Sequence, residues 1–323
     1  AKAHREGDIH IHDMDFLTLT TTCCQIDIEK LFKGGFSTGH GFLREPNDIQ
    51  SYSALACIAI QSNQNDQHGG QSIPDFDYGM ANGVKKTYRK LYWTNLGKML
   101  NLLYDIDDGV EKAKEIGARI MDEYDIYPIL ADDNGYKEKE KEHLQAIIDE
   151  ADIEKLQQRA TKYANQEVRR ATYQAMEAFV HNLNTMHSRA GAQIPFSSIN
   201  YGTDTSPEGR MIIENILLAT EAGLGNGETA IFPIHIFKIK EGINYNPGEP
   251  NYDMFKLACR VSAKRLFPNF SFIDAPYNLQ YYHEGDPNTE VAYMGCRTRV
   301  MGNVFDNTKE VTCGRGNLSF TSI

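Results

Sequence analysis

The strongest constraint on the fold is an alternation of strand-like and helix-like segments between residues 193 and 267. A strand and turn over 193–202 precede a helical pattern over 208–218, and a second strand over 230–239 precedes a helix over 251–267. Strands separated by helices usually pair in parallel, because each helix returns the chain across the sheet. The pattern therefore predicts an α/β fold with mostly parallel strands.

The chain before residue 193 reads as a strand followed by helices. Apolar residues alternate with polar and threonine residues over 8–22, which predicts a strand leading into Cys23. Helical spacing predicts further helices over 49–64, over 76–131 with a break near Gly109, and over 137–187. We interpret the charged run over 137–142 as a solvent-exposed helix face.

Composition and charge exclude several classes of function. The chain has 323 residues and a formal net charge of −11, so it lacks the general basic surface on which nucleic-acid binding depends. No apolar run approaches the roughly 20 residues that cross a bilayer, and no signal-peptide core begins the chain. We therefore predict a cytoplasmic protein that binds neither nucleic acid nor membrane. The chain begins without Met and ends in a strand-like run, which favours a fragment of a longer protein.

Two short patterns are weak signals for ligands. His10 and His12 would share one face of the predicted strand, but a pair without a third convergent ligand is more often structural than metal-binding. We therefore predict no metal site in this chain. The Gly-Gly-Gln-Ser turn over 69–72 could cradle a phosphate, yet it lacks the lysine and the spacing of a phosphate-binding loop.

The six cysteines occur in different sequence environments. Cys57 and Cys259 fall on predicted helices among apolar residues, so we expect both in the core. Cys23 and Cys24 end the threonine-rich strand. Cys296 lies in a glycine-flanked loop, which makes it the best candidate for a reactive thiol. No histidine near it in sequence has the context of a catalytic base, so the residues alone leave its chemistry unspecified.

Four separated motifs together resemble the anaerobic (class III) ribonucleoside-triphosphate reductases, which are glycyl-radical enzymes. They are Glu-Gly-Asp-Ile-His-Ile-His-Asp-Met-Asp over 6–15, Thr-Cys-Cys-Gln-Ile-Asp over 22–27, Met-Gly-Cys-Arg over 294–297 and Arg-Gly-Asn-Leu-Ser over 315–319. Their order and wide separation make the combination more specific than any one of them. The resemblance is to the core of the large catalytic subunit and covers essentially the whole chain.

The resemblance implies a particular architecture. The chain would form part of a ten-stranded α/β barrel, built from two half-barrels and wrapped by helices. A finger loop over about 290–317 would carry a cysteine through its centre, and a helical region over about 47–187 would hold the dimer and effector surfaces. The family's N-terminal ATP cone and its C-terminal glycyl-radical and zinc domain are expected to be absent from residues 1–323.

The resemblance also assigns roles to particular residues. Cys296 matches the radical-carrying cysteine of the finger loop, and Cys23 matches the second active-site cysteine. Asn317 matches the position that contacts a substrate hydroxyl and helps to bind formate. Met294 and Thr298, which flank the finger cysteine, are expected to bind substrate.

The choice of Cys23 over Cys24 follows the family pattern, which places this cysteine four residues before an aspartate, here Asp27. The alternation of a strand implies that one member of the pair points inward, but it leaves open which one.

The resemblance implies reduction of ribonucleoside triphosphates to deoxyribonucleoside triphosphates under anaerobic conditions. A glycyl radical on a residue outside this chain would generate a thiyl radical at Cys296, which removes the 3′ hydrogen while Cys23 supplies a hydrogen atom. Formate is the expected reductant, and structural zinc is expected only in the absent C-terminal part. Expected partners are ATP or deoxynucleotide effectors, a second copy in a homodimer and a radical-SAM activating enzyme. The fragment alone should lack turnover.

Two other functions remain open at this point. A glycyl-radical lyase would share the barrel and the finger loop, but Cys23 and Asn317 would then have no role. A catalytically silent nucleotide-binding module that only dimerises would tolerate the loss of both Cys23 and Cys296.

Overall fold

The computed structural model describes residues 1–11, 14, 22–67, 69–131, 134–187, 191–295, 298–300, 316–317 and 321–322. The helices are α1 (Lys2–Glu6), α2 (Ile28–Phe32), α3 (Ile49–Asn63), α4 (Phe76–Tyr104), α5 (Gly109–Tyr124), α6 (Tyr136–Leu144), α7 (Glu150–Thr185), α8 (Pro207–Ala222), α9 (Tyr252–Arg265) and α10 (Pro276–Leu279). The strands are β1 (His10–Ile11), β2 (Cys23–Gln25), β3 (Phe36–Ser37), β4 (Phe42–Leu43), β5 (Gln71–Ile73), β6 (Ser197–Tyr201), β7 (Ile234–Ile239), β8 (Asn269–Phe272), β9 (Ala292–Met294), β10 (Thr298–Val300), β11 (Gly316–Asn317) and β12 (Thr321–Ser322).

The largest sheet has six strands in the order β11-β2-β5-β6-β7-β8. Within this sheet β2, β5, β6, β7 and β8 pair in parallel, and β11 joins β2 antiparallel. Helices α8 and α9 provide the crossovers from β6 to β7 and from β7 to β8. The predicted α/β fold with mostly parallel strands is therefore confirmed. The described residues do not form a closed ten-stranded barrel, so that finer expectation stays a prediction.

Helix α3 begins where its sequence predicts. The side chain of Asp48 accepts a hydrogen bond from the backbone N–H of Ser51 at 2.8 Å, and the Ser51 hydroxyl accepts one from the Asp48 backbone N–H at 3.1 Å. This reciprocal capping satisfies two donors that the first helical turn leaves unpaired. The predicted break near Gly109 is also found, because α4 ends at Tyr104 and α5 begins at Gly109.

The region over 137–187 differs from its prediction in two respects. It forms α6 and α7 with a break between Leu144 and Glu150, where the sequence pattern had indicated a continuous helical region. In the charged run, Glu140 is fully buried and accepts hydrogen bonds from the Tyr92 hydroxyl at 2.6 Å and from Gln157 at 2.9 Å. The interpretation of the whole run as a solvated face is wrong at this position, because α6 packs between α5 and α7.

The two cysteines on helices differ in burial, although the sequence predicted both in the core. Cys57 is buried as expected, at 3% exposure. Cys259 is exposed, so the prediction that it lies in the core is wrong. Ala258 and Val261 face the core on α9, and one helical step turns Cys259 about 100° away from Ala258. Within the described residues, no helix combines the length and apolarity needed to cross a membrane.

Candidate functional site

The two adjacent cysteines of β2 lie on opposite faces of the sheet. The Cys24 thiol faces α3, where its sulfur accepts a hydrogen bond from Asn63 Nδ2 at 2.8 Å, and burial raises its pKa to about 11. The Cys23 sulfur accepts from the backbone N–H of Gly70 at 3.3 Å. Successive strand residues point to opposite sides, so the two thiols belong to different environments. The structure thus separates the two thiols, which the alternation of the strand alone could not assign to a face.

Two glycines bring the Cys23 thiol close to the chain that carries Cys296. A Cβ on Gly69 would lie 2.8 Å from the Cys23 sulfur, and a Cβ on Gly70 would lie 2.9 Å from Gly295 Cα. Gly295 also has a φ of 57°, in the left-handed region that glycine adopts at little cost. Cys296 is the next residue but falls outside the described residues. The Gly-Gly turn therefore serves as a close backbone contact, a use that the sequence pattern had not indicated.

Polar side chains hold the hairpin of β9 and β10 against the sheet. The Asn200 carboxamide accepts from the Tyr293 N–H at 2.9 Å and donates to the Tyr293 carbonyl at 3.0 Å. The Ser72 hydroxyl donates to the same carbonyl at 2.6 Å. Asn200 thus satisfies both backbone groups of one hairpin residue, as a neighbouring strand would. Sequence reasoning missed both side chains, because they lie on β5 and β6, far from the hairpin in sequence.

The other predicted site residues, Met294, Thr298 and Asn317, lie on the β9–β10 hairpin or beside Cys23. Met294 and Thr298 face each other across the β9–β10 pair, with Met294 2% exposed and Thr298 half-buried. Asn317 pairs with Cys23 in the register of β11 on β2, and the structure describes only the backbone of Asn317. The backbone of Asn317 is therefore adjacent to Cys23. The roles of these residues stay predictions.

Gln25 is a further residue of this region that the sequence analysis did not single out. It lies two positions after Cys23 on β2, which puts it on the same face of the strand. It is 5% exposed, and its amide nitrogen and oxygen have no hydrogen-bond partner among the described residues. Leaving a buried polar group unpaired costs roughly 1–3 kcal/mol, so this position is a candidate for a ligand contact.

An aspartate on α4 organises the loop that follows β6. One carboxylate oxygen of Asp77 accepts backbone hydrogen bonds from residues 202, 203 and 204 at 2.8, 3.1 and 3.1 Å. Burial raises the pKa of Asp77 to about 7. Three donors on one oxygen fix the loop at the carboxyl end of the strand. In parallel α/β sheets, this edge is where ligands usually bind.

A second candidate site lies on the helical surface. A surface cavity of about 600 Å³ is lined by residues just before α3 and on α4 and α5: Glu45, Pro46, Asn47, Lys86, Arg89, Lys90, Trp93 and Lys114. Lys86 is paired with Glu45 at 2.6 Å, and the Arg89 guanidinium lies 3.4 Å from the centre of the Tyr127 ring. Several cations beside an indole ring can accommodate a negatively charged ligand that has an aromatic group.

Comparison with known proteins decides the family. The model of the family "Anaerobic ribonucleoside-triphosphate reductase" matches residues 1–323. The chain belongs to this reductase family. Curated relatives in the family include the enzymes of Escherichia coli K12, 27% identical over 325 residues, and of Enterobacteria phage T4, 28% identical over 325 residues. The alignments cover 100% of this chain but 36% and 43% of those reductases, so the chain spans less than half of their length.

Solved structures of anaerobic ribonucleotide reductases resemble the chain only in part. The Thermotoga maritima reductase with citrate in the active site is 13% identical with a TM-score of 0.47, covering 85% of this chain and 40% of that one. The same reductase in complex with dATP and CTP is 11% identical with a TM-score of 0.48, covering 88% and 39%. The family inferred from the four sequence motifs is confirmed by the match over residues 1–323.

Proposed function

We propose that this chain forms part of the catalytic core of a reductase that converts ribonucleoside triphosphates to deoxyribonucleoside triphosphates under anaerobic conditions. The observation that supports it is the contact made by Gly70. Its N–H meets the Cys23 sulfur at 3.3 Å, and its Cα side packs on Gly295, the residue before Cys296. Two cysteines that are far apart in sequence therefore belong to segments that touch one backbone position.

The proposed chemistry gives each of these residues a separate task. A glycyl radical on a residue outside this chain would supply the unpaired electron. The Cys296 sulfur would then remove the 3′ hydrogen of the ribose, and Cys23 would donate a hydrogen atom as the 2′ hydroxyl leaves as water. Asn317, which pairs with Cys23 along the strand, would contact the substrate hydroxyl and formate. Formate, oxidised to carbon dioxide, would supply the two electrons of the reduction.

We propose that the six-stranded sheet is one part of a ten-stranded barrel whose finger loop includes the β9–β10 hairpin. Ser72 and Asn200 support this arrangement, because both bind the hairpin from neighbouring strands of the sheet. A barrel encloses side chains from all its strands, and a hairpin bound on the inner face would present its tip to that interior. Met294 and Thr298, on either side of the tip, would bound the substrate.

We propose that the basic cavity on α4 and α5 binds the phosphates of an ATP or deoxynucleotide effector. Lys90 and Lys114 supply positive charge, and the Trp93 ring offers a surface on which a base can stack. The cavity falls in the helical region over about 47–187, which we propose also pairs with a second copy of the chain. A radical-SAM enzyme would activate this homodimer in the cytoplasm.

The proposal is tested by Cys296→Ala in the full-length protein. We expect ribonucleoside triphosphate reduction with formate to be lost, while the glycyl radical still forms and is seen by electron paramagnetic resonance. Cys259→Ala is the matched control, because this exposed thiol should keep full activity. Reduction that survives in Cys296→Ala would refute the assignment. A wild-type protein that forms the radical but does not consume nucleotide would favour a lyase instead.

A further inference from the structure

A buried network of charges lies beside the start of the β9–β10 hairpin. Lys238 is fully buried, and its ammonium group lies 2.8 Å from Asp75 Oδ1 and 2.6 Å from Glu290 Oε2. The same Glu290 oxygen accepts a hydrogen bond from the Thr203 hydroxyl at 2.8 Å. Thr203 is 1% exposed and Glu290 3% exposed. The ammonium group, the carboxylate and the hydroxyl are therefore all shielded from water.

The network joins the hairpin to three neighbouring strands of the sheet. Lys238 belongs to β7, Thr203 follows β6, and Asp75 follows β5. Glu290 lies just before β9, and its carboxylate is bound by Lys238 of β7 and by Thr203, while Asp75 binds the same Lys238 ammonium group. Farther along β9, Tyr293 is bound by side chains of β5 and β6. The first arm of the hairpin is thus fixed at two successive points before the finger tip.

The electrostatics favour a charged lysine in this position. Burial alone would lower the pKa of Lys238, but Asp75 and Glu290 outweigh it, so the pKa is raised well above its ordinary value. A buried ion pair is often no more stabilising than apolar residues of similar volume, because both charges lose their hydration. What the pair adds is a fixed geometry, since a charged carboxylate between two donors cannot slide as an apolar side chain can.

We propose that Glu290 and Lys238 are positioning residues that set where the finger tip stands over the Cys23 face of the sheet. The proposal rests on the proposed reductase function. The backbones of Gly295 and Gly70 already pack against each other. The hairpin therefore has little room to shift without changing the separation between its tip and the Cys23 thiol. Neither residue needs to contact the substrate.

The test uses Glu290→Asp in the full-length, activated protein. The charge is kept, but the carboxylate is one methylene shorter, so the hairpin must move or lose its bond to Lys238. We expect normal glycyl-radical yield, a nearly unchanged KM for the nucleotide and a kcat lowered about tenfold or more, because small misplacements of reacting groups are costly. Glu284→Asp, the same change at an exposed position of the same segment, is the matched control and should behave as wild type.

A double variant separates positioning from stability. Lys238→Met with Glu290→Met replaces the buried pair by apolar side chains, which restores packing without the fixed hydrogen bonds. We expect its melting temperature to exceed that of Lys238→Met alone, while kcat stays low. Wild-type kcat in the double variant, or in Glu290→Asp, would overturn the positioning role. If the wild-type protein itself reduces no nucleotide, the proposed function fails instead, and the two failures are therefore distinguishable.

Discussion

Replacing Gly70 by alanine tests the contact on which the proposed site depends. The new Cβ would lie 2.9 Å from Gly295 Cα and 3.0 Å from a ring carbon of Phe196. Carbon atoms rest at about 3.5–4.0 Å, so Gly70 and Gly295 must separate by about 0.6–1.1 Å. The backbone N–H at this position is kept in the Gly70→Ala variant, which limits the perturbation to the distance between the two segments.

The expected effect on turnover is large. A misplacement of about 1 Å can lower a rate roughly 100-fold, which corresponds to ~2.7 kcal/mol in activation free energy. We therefore expect kcat per glycyl radical to fall between about tenfold and 100-fold in Gly70→Ala. Overpacking should also lower the unfolding free energy by about 1–3 kcal/mol.

The assay measures nucleotide reduction in the full-length protein, normalised to the glycyl radical counted by electron paramagnetic resonance. Gly41→Ala is the matched control, because a Cβ there meets no atom within 4 Å and the change to the unfolded chain is the same. A Gly70→Ala variant whose normalised kcat stays within threefold of that control would refute the reasoning. The contact would then have no part in setting the active-site geometry.

Three further predictions concern buried and charged groups. Burial raises the pKa of Glu140 to about 7, so the stability that its neutral form provides is complete below about pH 4.5 and is lost as the pH rises from there to about 7. Urea unfolding measured across this pH range should show the free energy of unfolding fall by on the order of 3 kcal/mol, and Glu140→Gln should remove this fall. An equal dependence of the unfolding free energy on pH in both proteins would contradict the prediction. Asp77→Ala leaves three loop N–H groups without their acceptor, so it should lower the unfolding free energy by ~3 kcal/mol or more. A decrease in the unfolding free energy of less than about 1 kcal/mol would argue against the role of this carboxylate. Lys90→Gln should raise the Kd of a deoxynucleotide effector about tenfold in calorimetry, whereas Lys155→Gln, at an exposed position, should leave it unchanged. Equal effector affinities in the two variants would exclude the basic cavity as the effector site.

Local sequence patterns were sufficient for most of the long helices and for the strands β6 and β7. The α/β alternation after residue 193 and the capped start of α3 at Asp48 depend on side-chain spacing and on backbone groups within a few residues. The family could also be inferred from sequence, because its motifs are short runs of neighbouring residues. The family match covers residues 1–323, as those motifs indicated.

Burial of individual polar residues was less predictable. Glu140 lies in a run of charges that resembles an exposed helix face, yet α6 packs so that this residue reaches Tyr92 and Gln157. Cys259 lies beside core residues in sequence, but its direction on α9 exposes it. In both cases, the neighbouring elements decide burial, and their positions are not encoded by the local pattern.

The sequence by itself determined the fold class, the start of α3 and the family, and it indicated Cys23, Cys296 and Asn317 as the residues to examine. Only the tertiary structure decided which face of β2 each thiol occupies and that Gly70 touches both the Cys23 sulfur and Gly295. The contacts of Ser72 with Tyr293 and of Lys238 with Asp75 span 221 and 163 residues. Such pairs form only where separate strands align in register, which is a property of the assembled sheet and not of any one segment.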